Sequence, residues 1–103
     1  MRFGSFLELP LPEGTSSTEA YDHTFAHVDL AETLGLDTIC LAEFHFTPNR
    51  VISSPLMLGA AIAGRTNRIK VATSVLVLPL TNPLRVAEET ATLDNISGGR
   101  FEF

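Results

Sequence analysis

Apolar runs with strand character begin near residues 2, 37, 69 and 100, and a helical pattern fills each gap between them. A strand–helix unit that recurs about every 30 residues implies parallel strands, because parallel neighbours need a long crossover and a helix is the usual one. The first run, Arg2–Leu9, is stopped by Pro10, Pro12 and Gly14. Ser16 and Glu19 have capping-box spacing and start a helix. Tyr21, Phe25, Val28 and Ala31 form its apolar face, and Gly35 is its left-handed stop. Asp37–Glu43 is the second strand. Ser54-Pro55 is an N-cap with proline in the first helical position. The second helix runs from Leu56 to Arg65, and Gly59, Ala60, Ala61, Ala63 and Gly64 permit a neighbouring backbone to come close. Ile69–Leu78 reads as the third strand. Asn82-Pro83 repeats the capping device, and a third helix carries Val86, Thr90 and Leu93 on one face. It stops at Gly98-Gly99, with Asp94 and Arg100 placed to pair across the turn, and Arg100–Phe103 opens a fourth strand.

Two folds use this unit, the open doubly wound sheet and the eight-fold barrel. The first strand-to-helix connection, Pro10–Thr15, has no Gly-x-Gly-x-x-Gly, which weighs against a dinucleotide-binding sheet. The expectation is an α/β fold: the N-terminal portion of a (β/α)8 TIM barrel, with four parallel strands and three crossover helices. A whole barrel needs about 250 residues; the 103 here form a single incomplete domain over residues 1–103. Such an arc leaves two open edges and lacks the opposite wall of the lumen. Phe3 or Phe6, Leu41, Val75 or Leu76, and Phe101 or Phe103 are expected to line that lumen. Each such side chain is worth roughly 1.5–3 kcal/mol when buried, so the chain is expected to form a homodimer or higher oligomer.

Composition narrows the function classes. Apolar residues make up 45% and the net charge is only -5, which excludes a disordered chain. Cys40 is the only cysteine, so no disulfide framework exists. Seven basic residues, none in a run, give no nucleic-acid footprint. No stretch approaches a membrane span, and the first residues lack a signal-peptide pattern, so a cytoplasmic protein without membrane or nucleic-acid partners is expected. His23 and His27 share a helical face at metal-binding spacing, but no third ligand accompanies them, and a solvated face is the better reading. Cys40 sits among apolar strand residues and reads as a small hydrophobe.

Several segments together resemble one family. Leu41-Ala42-Glu43-Phe44-His45-Phe46 is similar to the Glu-His-His-Phe segment of the bacterial luciferase-like flavin monooxygenases. Ile69–Val75 with Val77-Leu78-Pro79 resembles that family's third strand. Asn82–Glu89 and Leu93–Arg100 resemble its third helix and the following turn, and Arg2-Phe3-Gly4 its first strand. The resemblance spans essentially the whole chain. It implies a (β/α)8 barrel that uses reduced flavin, FMN or alternatively F420, to oxidise an organic substrate. A separate NAD(P)H:flavin reductase would supply the reduced FMN. The site would lie at the C-terminal ends of the strands. Glu43 and His45 then become the candidate catalytic residues. Ser74 and Val75 become the candidate cofactor contacts, where the family often has a non-prolyl cis peptide. No metal is implied. The family's flavin-phosphate contacts lie beyond this stretch, and the luciferases carry a catalytic histidine where this chain has Phe44, which cannot take a proton.

Each candidate also has a plainer reading. His45 is a proton-transfer group beside the flavin, a loop histidine with a structural hydrogen bond, or a histidine at a subunit contact. Glu43 orients His45, crosses to a partner subunit, or is a strand-end carboxylate held by backbone or arginine. Ser74 and Val75 are otherwise two core strand residues. The alternative to an enzyme is a non-catalytic or flavin-binding relative that acts through association.

Overall fold

The computed structural model describes residues 1–103. Four strands, β1 (Gly4–Leu7), β2 (Thr38–Leu41), β3 (Lys70–Thr73) and β4 (Phe101–Glu102), alternate with three helices, α1 (Ser17–Leu34), α2 (Pro55–Arg65) and α3 (Pro83–Ser97). The strands pair in the order β1-β2-β3-β4, all parallel. Gly4 lies opposite Thr38 and Thr38 opposite Lys70, while Val71 lies opposite Phe101. The order never reverses, as it would at the switch point of a doubly wound sheet.

Alternation along the strands separates two faces. Leu7, Ile39, Leu41 and Val71 point toward the helices and pack with Val28 and Ala31 of α1 and Leu58 and Ile62 of α2. The opposite face carries Gly4, Phe6, Cys40, Lys70, Ala72 and Glu102, in step with the register. On this concave face Arg2, just before β1, donates to Glu102 of β4 at 3.0 Å, and the Lys70 ammonium donates to the same carboxylate at 2.5 Å. Lys70 first, and then Arg2, hold the Glu102 carboxyl below its ordinary range. In a flat sheet the outermost of four strands stand about 14 Å apart. The Arg2–Glu102 pair, with Lys70 between, spans that concave face from the first strand's side to the last.

The expected lumen lining is corrected by this geometry. Phe6 is on the concave face, but Leu41 is fully buried under the helices and Phe101 packs on that same side. Lysine, glutamate and small residues occupy positions expected to be apolar. The third strand is also shorter than Ile69–Leu78. It ends at Thr73, after which both Ser74 and Val75 turn their N–H groups to the Leu41 carbonyl, at 2.9 and 3.5 Å. A 3-10 turn at Leu78–Leu80 follows.

The helices start and stop largely as their sequences dictate. Ser16 and Glu19 form the reciprocal capping box, and Gly35 ends α1 with φ 83°. The buried stripe of α1 is Ala20, Thr24, Val28 and Ala31, with Tyr21 and Phe25 packed at its border. Asn82 caps α3 by accepting from the Leu84 N–H at 2.9 Å, whereas Ser54 makes no side-chain cap bond to α2. Gly59 is the close approach anticipated in α2: a Cβ there would meet Leu93 at 3.1 Å and Val71 at 3.3 Å. Gly64 has nothing near it.

Arg100 does not pair with Asp94. Its Nε donates to the Ser97 carbonyl (2.7 Å), one terminal nitrogen donates to Thr66 Oγ1 (2.9 Å) and the Ile69 carbonyl (2.8 Å), and the other to the carbonyls of Ala63 (2.8 Å) and Thr66 (3.0 Å). One guanidinium thus satisfies the C-terminal ends of α2 and α3 and the entry to β3, where helix dipoles favour a cation. On α1, the Glu32 carboxylate accepts from the backbone N–H groups of Asn67, Arg68 and Ile69 at 2.8–2.9 Å. Burial alone would raise the Glu32 pKa, but these three donors outweigh it and the pKa is lowered.

Arg100→Met should destabilise the chain by about 3 kcal/mol in urea unfolding, because it orphans several carbonyls at once. Arg100→Lys should recover only part, since an ammonium cannot fork. Glu32 binds a proton more weakly folded than unfolded, so its contribution is full above its ordinary value of 4.5 and is lost as pH falls through the lower folded value. Urea midpoints should therefore drop on acidification less steeply in Glu32→Gln than in the wild type.

Candidate functional site

The C-terminal ends of the strands carry three loops, and backbone hydrogen bonds lace them together. The loop after β2 folds back on the one after β1: Val51 N–H donates to the Leu9 carbonyl (3.2 Å) and Leu11 N–H to the Asn49 carbonyl (3.0 Å). Phe44 N–H closes the β2 loop on the Ile52 carbonyl at 2.8 Å, and the Tyr21 hydroxyl of α1 donates to the Val51 carbonyl at 2.6 Å. Leu9 and Phe46 have φ of 45° and 54°. For residues with a Cβ these are costly conformations, held here by the surrounding loop contacts.

Within this frame Glu43 lies two residues beyond the buried end of β2. Its side chain is only 2% exposed. One carboxylate oxygen lies 2.5 Å from His45 Nε2, and the other accepts the Val77 N–H at 2.7 Å. A buried carboxylate requires such partners. Neither is an arginine, so of the readings open from sequence Glu43 combines two: it orients His45 and it is held by backbone. His45 remains partly exposed, its ring 6.0 Å from that of the fully exposed Phe46. Ser74 and Val75 are exposed at the start of the loop that Glu43 grips through Val77, so they are not core strand residues. The peptide between them is trans, unlike the cis bond that the resemblance suggested. All four candidate residues thus belong to one corner of the C-terminal end.

Phe44, in the position of the luciferases' histidine, packs against the main core under the Arg50 guanidinium, 5.3 Å from its ring centre. Arg50 also donates to Glu8 at 3.2 Å, while its buried Nε has no partner and is part of the guanidinium over that ring. Away from this corner, His27 Nε2 lies 2.8 Å from Ser5 Oγ. No helix is long and apolar enough to cross a membrane.

The family model described as luciferase-like monooxygenase matches residues 1–103. The chain belongs to the luciferase-like monooxygenase family. It is 37% identical to the alkanal monooxygenase alpha chain of Photorhabdus luminescens over 103 residues, covering all of this chain and 28% of that one. Among solved structures it matches the oxygenating constituent of 3,6-diketocamphane monooxygenase from Pseudomonas putida, a type II Baeyer-Villiger monooxygenase in complex with FMN. That match has TM-score 0.91 and 27% identity, over 98% of this chain and 28% of that one. The coenzyme F420-dependent tetrahydromethanopterin reductase of Methanopyrus kandleri superposes with TM-score 0.70 at 26% identity, over 97% of this chain and 25% of that one. The chain therefore spans less than a third of these relatives, and within that span it has the fold of a luciferase-like partial barrel.

Whether these residues suit a flavin depends on which part of the flavin is considered. For the ring, the exposed Ser74, Val75 and Phe6 and the partly exposed His45 leave side-chain surface uncovered. A phosphate needs free cations or open N–H groups. All seven lysines and arginines are already engaged: Arg2 and Lys70 with Glu102, Arg50 with Glu8, Arg65 with Asp29, Arg85 with Glu88 and Glu89, and Arg68 and Arg100 with carbonyls. The sequence alone did not reveal the Val77 amide as part of the site. The signal was there in Glu43 itself, a carboxylate inside an apolar run that must find donors when buried.

Proposed function

We propose that this chain supplies the first wall of a barrel in a flavin-dependent monooxygenase, contributing the ring-side part of the flavin site. The observation that carries the reading is the buried Glu43 tying His45 to the loop of Ser74 and Val75 at the strand ends, in a chain whose whole length matches the family. When bound, reduced flavin would supply the electrons that let O2 oxidise an organic substrate. This chain's residues would flank the ring, and His45 would present an imidazole to the reacting region. FMN fits the FMN-bound neighbour and F420 the reductase neighbour, and FMN is preferred because the FMN-bound structure superposes more closely. A separate NAD(P)H:flavin reductase would deliver the reduced FMN, and a cytoplasmic location is part of the proposal. A second reading, association without catalysis, is favoured by the Phe44 ring, which cannot take a proton.

Self-association is proposed through the outer groove between α2 and α3. Met57 is 75% exposed and Ile96 55% exposed there, beside Ala60 and Leu93. Arg85, Glu88 and Glu89 line the other side of this groove, so the contact would set two exposed apolar side chains within a charged rim.

A native mass spectrum with FMN and with riboflavin tests the flavin reading. Because no free cation is present to read a phosphate, the two should bind equally within about threefold. Binding of neither would remove flavin from this segment. Oxygen uptake with reduced FMN and a panel of aldehydes, above flavin autoxidation, would favour the enzyme over the association reading. Met57→Glu should convert the assembly to monomer by sedimentation. An unchanged assembly would place the contact elsewhere.

A further inference from the structure

We infer that Glu43 is a positioning residue that sets two things at once: which nitrogen of His45 carries the proton, and where the backbone after β3 lies. This deepens the flavin reading and rests on it for its functional consequence.

The argument begins with the carboxylate. It is buried, with a side chain 2% exposed, and an ionised carboxylate can only accept hydrogen bonds. Its two oxygens face two different loops. His45 Nε2 is 2.5 Å from Oε1, so Nε2 must hold the proton of the neutral imidazole. The lone pair is then on Nδ1, turned away from Glu43, and Nδ1 is the nitrogen free to accept a proton or a hydrogen bond from a bound molecule. Oε2 meanwhile takes the Val77 N–H at 2.7 Å. Two residues earlier, the Ser74 and Val75 N–H groups point at the Leu41 carbonyl. The stretch from Ser74 to Val77 is therefore pinned at both ends to the end of β2. Without Glu43, the Val77 end is released and the imidazole loses the acceptor that selects its tautomer.

Glu43→Gln separates these effects without changing size. An amide has one acceptor oxygen and one donor nitrogen, so it can serve the Val77 N–H or the Nε2–H of His45, but not both. If the amide oxygen stays with Val77, the amide nitrogen donates to Nε2 and the proton moves to Nδ1. If the oxygen turns to His45, Val77 N–H loses its partner.

The test is nitrogen NMR of the intact chain, with amide exchange, at an alkaline pH where the ring nitrogens report a neutral tautomer. In the wild type, His45 should show the Nε2–H tautomer, and Val77 N–H should be protected. In Glu43→Gln, either the His45 tautomer should change to Nδ1–H, or Val77 exchange should quicken about tenfold, as for one lost charge-assisted hydrogen bond. The Val71 amide, bonded to the Arg100 carbonyl, should keep its protection and serves as the internal control. An unchanged tautomer together with unchanged Val77 exchange overturns the inference. If Glu43→Gln does not fold, the wild type still decides, because an Nδ1–H tautomer or an unprotected Val77 amide overturns the inference. Titration with FMN is read separately. Failure to bind flavin with the expected tautomer and protection defeats only the flavin reading, and binding with the wrong tautomer defeats only the positioning role.

Discussion

One guanidinium holds the segments of this arc in register. Helix ends expose carbonyls that have no partner within the helix, and two helices and a strand entry converge where α2 stops, β3 begins and α3 stops. Arg100 answers that convergence with a planar fork that reaches Ala63, Thr66, Ile69 and Ser97. Immediately after it the chain enters β4, and the Arg100 carbonyl takes the Val71 N–H as the first bond of the β3–β4 ladder. Glu32 does the complementary task with opposite charge, gathering the three amides that lead into β3. The N-terminal end of β3 is thus gripped by one anion and one cation, both supplied by side chains from other elements.

With that end fixed, the opposite end of the sheet is free to be irregular. β3 stops after four residues: the Ser74 N–H makes the last ladder bond to the Leu41 carbonyl, and beyond it Val75 leans on that same carbonyl and Val77 turns to Glu43 instead of continuing the ladder. The site is built from this early termination. A longer strand would have kept Ser74 and Val75 in the sheet and left Glu43 without its second partner.

The sequence showed the strand–helix rhythm, the capping box of Ser16 and Glu19, and the stops at Gly35 and Gly98, because those signals are local. It also placed Glu43, His45, Ser74 and Val75 near one another once the barrel order was recognised. It overestimated β3, since Val75 to Leu78 have every strand propensity and only a tertiary contact turns them aside. It put Leu41, and Phe101 or Phe103, in the lumen because alternation fixes which residues share a face and leaves open which face meets the helices. The partners of Arg100 were illegible for a related reason: Asp94 is near in sequence, whereas, apart from the Ser97 carbonyl, the carbonyls that capture the guanidinium lie more than thirty residues away.

The concave face has its own consequence. A lumen packed with leucine loses its cohesion when half of the wall is missing, because oil-like surface must then meet water. Arg2, Lys70 and Glu102 meet water at little cost, and they join the first strand to the last while doing so. Being exposed, the three charges contribute little to stability; what they give this face is polarity, so that the hollow of the arc is wetted where a leucine lining would be driven to find cover.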